Sequence, residues 1–160
     1  MPRDGFILVQ LDLVILQTYN GRTRPRGMLA PMFPSLLRFS DAALLLLRLM
    51  VATVFVASGW KHLQNPAARA KSIGMSKGFT IFLGTAEIAG GLGVAFGVLT
   101  QIAALGLILL MLGAIQKKIG EWHTGFWGKD GSGGWHYDLL FVVMNLVIIT
   151  TNGGRYVLLK

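Results

Sequence analysis

An all-α fold, a four-helix transmembrane bundle behind a short N-terminal segment of different character, is predicted from three observations. Charged residues make up only 14% of the 160-residue chain and hydrophobic ones 53%, whereas about a quarter of a soluble domain is charged. The charges are clumped, so long stretches carry none. Four of those stretches reach or approach the roughly 20 apolar residues that a helix needs to cross the hydrocarbon core.

The first predicted span covers residues 41–60, with Ser40 or Asp41 as its N-cap. The second covers 79–99 and the third 101–118. Only Thr100 separates these two, which predicts a tight antiparallel hairpin. The fourth covers 135–151. Residues 1–34 do not conform. FILVQLDLVILQTY is interrupted by Gln10 and Asp12 and is too short to span as a helix. Its Val, Ile and Leu residues read as a strand, with Asn20-Gly21 as a turn. RTRPRG follows as an exposed basic linker. The segment makes a poor signal peptide, because no small-residue cleavage site follows. A start at Met28 or Met32 would make it an upstream extension. The organisation expected is therefore an extension over 1–34 and a membrane domain over 35–160.

The formal net charge is +8, but no nucleic-acid-binding motif accompanies it. Basic loops beside anionic lipid headgroups account for it better. There are no cysteines, which excludes disulfides, thiolate nucleophiles and cysteine-held iron–sulfur clusters. Let side A be the end where the first span begins and side B the opposite end. Side B carries Lys61, Arg69, Lys71, Lys77, Lys117, Lys118 and Lys129. Side A carries Arg3, Arg22, Arg24, Arg26, Arg38, Arg155 and Lys160. The count is seven against seven, so lysine and arginine bias does not orient the chain. A start at Met28 would leave side A three and make side B cytoplasmic.

Arg48 lies deep in the first span, and Glu87 is the one acid deep in an apolar span. Charges there are costly and usually functional. Arg48 is ~12 residues from side B and Glu87 ~8, a depth difference of about 6 Å. Arg48, Ala52, Phe55 and Gly59 share one helical stripe. Gly84, Glu87, Gly91 and Ala95 share another. Small residues mark packed faces in membrane helices, so both charges are expected to face the bundle as an ion pair. That pair either fixes helix register or serves a proton, quinone or substrate site. Asn145, mid-way along the fourth span, should also face inward.

A second constellation gathers on side B. It holds all four tryptophans (Trp60, Trp122, Trp127, Trp135) and all three histidines (His62, His123, His136). Lys61, Glu121, Tyr137 and Asp138 join them. Aromatic belts form at both interfaces, so one-sided clustering points to a polar–aromatic mouth for a quinone headgroup or another amphiphile. A plain interfacial belt is the competing reading. His62, His123, His136 and Asp138 have metal-ligand chemistry, but no spacing among them resembles a zinc motif, so no metal is expected. GFWGKDGSGG lacks the phosphate-loop pattern. Gly93-x3-Gly97 reads as helix packing.

LLRLMVATVFVASGWKHL, AEIAGGLGVAFGVLTQIAAL and the closing TTNGGRYVL, in this order and spacing, resemble the DoxX family of small bacterial membrane proteins. The resemblance runs from about Asp41 to Leu158. Two places depart from the family pattern. His136-Tyr137-Asp138 stands where Tyr-Glu often opens the fourth helix, and Asn152-Gly153-Gly154-Arg155 stands where a Gly-Pro-Gly turn is common. The resemblance implies a multi-pass protein of the bacterial inner membrane. The family takes its name from a subunit linked to thiosulfate oxidation with quinone as acceptor. Other members are associated with oxidative-stress complexes, and distant relatives act as membrane chaperones.

Three functions are thus open. The first is a redox-associated membrane subunit that holds quinone or anchors a partner oxidoreductase, without thiol chemistry or a catalytic activity of its own. The second is a non-catalytic scaffold or chaperone with a structural ion pair. The third, weaker, is small-solute or proton transport, for which four helices without an inverted repeat would have to form a homo-oligomer.

Overall fold

A computed structural model describes residues 33–128 and 133–159. The N-terminal strand, the Asn20-Gly21 turn and the alternative starts Met28 and Met32 lie outside the described residues, as do Arg3, Arg22, Arg24, Arg26, Lys129 and Lys160.

A 3-10 turn, Pro34–Phe39, runs into α1 (Ser40–Gln64). After it come α2 (Pro66–Ile73), α3 (Lys77–Phe96), α4 (Thr100–Gly120) and α5 (His136–Thr150). Among the described residues there is no strand. α1, α3 and α4 are long and apolar enough to cross a membrane, while α5 is a shorter apolar helix. At 15 residues, α5 spans only about 22 Å.

Several boundaries differ from expectation for local reasons. Neither Ser40 nor Asp41 caps α1, because the 3-10 turn feeds the helix without a break. Asp41 Oδ1 instead accepts from the Arg155 backbone N–H at 3.0 Å. α1 continues to Gln64, so Lys61 and His62 lie within it. The unforeseen α2 has ordinary start and stop signals. Asn65 caps Ala68 N–H at 3.2 Å, Pro66 occupies the first turn, and Gly74 closes it at φ +65°. α3 starts at the Ser76 cap and stops at Phe96. Gly97 (φ +70°) and Leu99 (φ +48°) turn the chain into α4. Gly97 is therefore a left-handed cap rather than half of a packing motif.

The bundle is built on the antiparallel pair α1 and α3. The buried residues of α1 are Arg48, Val51, Ala52, Phe55, Gly59 and His62. Those of α3 are Thr80, Gly84, Glu87, Gly91 and Val94. These are single stripes at helical spacing. Gly59 meets Gly84 at the crossing. A Cβ on Gly59 would stand 2.5 Å from the Gly84 carbonyl oxygen, and one on Gly84 would stand 2.8 Å from that of Gly59. Only glycine permits this approach, which is how helices pack where no hydrophobic force separates lipid from protein. α4 covers α3, and α5 covers α4 and touches α1. Val51, Phe55, Val94, Ala104, Leu107 and Ile148 form the core. Phe55 and Phe141 tie α1 to α5 by an edge-on contact at 5.5 Å. The outward residues are apolar as well: Leu46, Ile102, Leu109 and Leu140 are all more than half exposed. Apolar residues outside and polar residues inside are the arrangement hydrocarbon requires.

Candidate functional site

Buried polarity in the α1–α3 pair is concentrated at two levels. At side A, Arg48 is fully buried and donates only to backbone carbonyls. Nε reaches Val94 O at 2.7 Å and Nη2 reaches Ala95 O at 2.7 Å. Nη1 reaches Gly153 O at 3.2 Å and also Tyr156 O. The last four carbonyls of a helix have no partner within it. Here each is satisfied in turn. Gly93 O accepts from Gly97 and Val98 N–H, Arg48 takes Val94 and Ala95, and Leu158 N–H bonds Phe96 O at 3.1 Å. Leu159 N–H then bonds Gly97 O at 3.1 Å. A cation at a helix C-terminus also complements its dipole. Arg48 is a cap for α3 and a clamp on the C-terminal tail.

The expected Arg48–Glu87 ion pair is not formed: among the described residues Arg48 meets no carboxylate. Two physical reasons account for this. In the packed register Arg48 is level with Ala95, eight residues and so roughly 12 Å along α3 from Glu87. Helical side chains also lean towards their own N-terminus. Arg48 therefore leans to side A and Glu87, on the antiparallel helix, to side B.

The same lean brings Glu87 to His62. His62 Nε2 lies 3.8 Å from Glu87 Oε2, and both residues are 6% exposed. The gap is too wide for a hydrogen bond. Glu87 Oε2 and His62 Nδ1 have no partner. Leaving such groups unsatisfied costs about 1–3 kcal/mol each, and unsatisfied buried atoms call for an explanation.

Both residues belong to the wall of a cavity. His62, Glu87 and Ser58 line a cavity of about 350 Å³ on side B, within the size range of small-molecule sites. Its apolar wall comes from Ile73, Phe79, Leu83, Leu110 and Met111. Arg69, Lys117, Lys118, Trp122 and Asp138 supply the polar and aromatic part of the lining. Lys118 Nζ donates to Asp138 Oδ2 at 2.6 Å, joining α4 to α5. Lys117 pairs with Glu121.

Of the eleven residues gathered on side B from the sequence, three line this cavity: His62, Trp122 and Asp138. Trp60 faces outward beside a shallow apolar groove with Leu49, Val56 and Leu92. Lys61 is exposed. His123 is exposed and contacts the Glu121 carbonyl. Trp135, His136 and Tyr137 belong to a separate aromatic cluster with Phe126 and Trp127 at the start of α5. There His136 Nδ1 lies 2.7 Å from Phe126 O. Among the described residues no group of three metal-ligating side chains is assembled, so His62, His123, His136 and Asp138 do not converge. Asn145 is fully buried in α5. Its amide donates to Phe141 O at 2.8 Å, one turn back, and its Oδ1 is unpartnered. Arg69 and Lys117 were not singled out from the sequence. The Asn-Pro start and glycine stop of α2 could have placed Arg69 near the mouth.

Apolar outward faces around an inward-facing polar stripe define a multi-pass helical membrane protein. Within that class, residues 43–119 match the DoxX family model, covering most of α1 to α4. Residues 43–119 belong to the DoxX family. No curated protein and no solved structure gives a significant match.

Proposed function

We propose that this chain is a redox-associated membrane subunit that receives a quinone-class amphiphile in the side B cavity. The observation supporting this is the cavity's composition: a buried polar floor, an apolar wall and a basic, aromatic rim. A ligand with a flat polar head and an apolar tail suits such a lining. The head meets His62, Glu87 and Ser58, and the tail follows Phe79, Leu83 and Leu110 towards lipid. Without cysteine the chain performs no thiol chemistry, so electrons reach the ligand through a partner oxidoreductase. Arg69, Lys117 and Trp122 lie where that partner would approach.

The test is direct binding. With the full chain in lipid nanodiscs, a short-chain quinone should quench Trp122 fluorescence saturably, and Trp122→Phe should remove the signal. Ala114→Phe, which fills the cavity from α4, should weaken binding more than about tenfold while membrane abundance is retained. Absence of saturable binding by the wild-type chain would favour the scaffold reading, in which the chain acts only by holding partners.

A further inference from the structure

We infer that the end of the bundle around α2 is a binding surface for anionic phospholipid. Lys61, Arg69, Lys71 and Lys77 attract the headgroup, and the groove that ends at Trp60 takes an acyl chain. This surface is separate from the quinone-class site above and meets it only at Arg69.

All four cations lie between the end of α1 and the start of α3, and all four are exposed. α2 fixes two of them. It packs on the bundle through Ala70 and Ile73, so Arg69 and Lys71 flank the buried Ala70, each about 100° round the helix. The acids of side B do not neutralise this group. Among the described residues Glu121 pairs with Lys117, Asp138 pairs with Lys118, and Glu87 is buried opposite His62. None of the four exposed cations forms an ion pair among the described residues. Side A has no comparable group there: its described exposed cations are Arg38 and Arg155, and Arg48 is buried among carbonyls.

The surroundings of these charges point to lipid. Trp60 precedes Lys61 and Phe79 follows Lys77 by two residues, and both rings are exposed. Exposed aromatic rings mark the headgroup level of a membrane protein, so the cations stand in the layer where phosphates lie. Clusters of lysine and arginine at that level attract anionic lipid, and their stems cover apolar surface while the charged ends stay wet. From Trp60 the shallow groove with Leu49, Val56 and Leu92 runs along α1 and α3 into the hydrocarbon. Its α1 residues cover about 16 Å, a length that suits an acyl chain. An anionic head above and an apolar chain below describe a phospholipid. A soluble anion or an acidic protein accounts for the charge but not for the groove.

Lipid competition on the full chain tests this. The protein is taken from nanodiscs of equimolar phosphatidylglycerol and phosphatidylcholine into mild detergent, and the retained lipids are counted by native mass spectrometry. The wild-type chain should retain phosphatidylglycerol about tenfold over phosphatidylcholine. Replacing Lys61→Gln, Arg69→Gln, Lys71→Gln and Lys77→Gln together should bring the ratio to about one at unchanged thermal stability. Should that variant fail to accumulate, Lys61→Gln with Lys77→Gln, and Arg69→Gln with Lys71→Gln, should each lower the ratio about threefold. Arg38→Gln, on side A, should leave it unchanged. Ala57→Phe, which fills the groove, should lower the phosphatidylglycerol retained. Equal retention of the two lipids by the wild-type chain overturns the inference and leaves the basic end to an acidic protein. Displacement of the lipid by millimolar inorganic phosphate overturns it in favour of a soluble anion. An unchanged ratio in the fourfold variant overturns the residues assigned. Trp122 quenching by quinone is read separately, so neither failure decides the other.

Discussion

Arg48 and the His62–Glu87 couple occupy the same two helices, about four turns apart on α1, and all three side chains are more than nine-tenths buried. Their hydrogen bonding is opposite. Arg48 directs its guanidinium at four backbone carbonyls. Glu87 and His62 face each other across 3.8 Å and leave one polar atom each buried and unpartnered. Burial and charge alone therefore do not show what a charged residue does. A charge whose hydrogen bonds are all made within the fold holds the fold, and it is on the incompletely bonded couple that the proposed site rests.

The largest expected effect tests the satisfied end. Arg48→Met leaves four carbonyls without their donor, those of Val94 and Gly153 buried. At about 1–3 kcal/mol per unsatisfied buried group, a loss of at least ~2 kcal/mol should appear as loss of folded protein from the membrane. Arg48→Lys keeps the charge but not the planar fork, so it should recover only part of that stability in a detergent thermal melt. Wild-type stability in Arg48→Met would erase the contrast between the two ends. Next comes the crossing that sets the register of both ends. A side chain on Gly84 meets the Gly59 carbonyl at 2.8 Å and His62 Cβ at the same distance. Gly84→Val should destabilise by about 1–3 kcal/mol and disturb cavity binding with it. The smallest effect belongs to the unsatisfied end: Glu87→Gln should change thermal stability by less than about 1 kcal/mol, since glutamine keeps the side chain's size and one acceptor oxygen. A loss above ~2 kcal/mol would mean that Glu87 supports the fold and would sink the contrast from the other side.

The helical fold and its inward stripes were legible in the sequence, because apolar length and 3.6-residue spacing are written in residue types. Arg48, Phe55, Gly59, Gly84 and Glu87 fall on the buried faces that this spacing indicates. The partner of Arg48 was not legible. Backbone carbonyls belong to every residue and leave no mark in a sequence, so a search for an opposite charge settled on Glu87. The His62–Glu87 contact was within reach. On antiparallel helices, side chains that lean towards their own N-termini converge from the C-terminal part of one helix and the middle of the other. The cavity was half legible. Trp122 and Asp138 stood out by type and place, while Arg69 depended on recognising an eight-residue helix between two spans.

The Arg48 clamp joins residues 105 and 108 positions apart. Asn152, Gly153 and Gly154, all at positive φ, turn the chain back after α5 so that Leu158 and Leu159 can bond the end of α3. During synthesis α1 enters the bilayer long before these residues exist, and until they arrive Arg48 lacks two of its four acceptors. The clamp closes only when the turn after α5 is in place. A copy ending before Gly153 leaves an under-bonded guanidinium in the membrane, a buried polar defect that sets it apart physically from a copy that carries the turn.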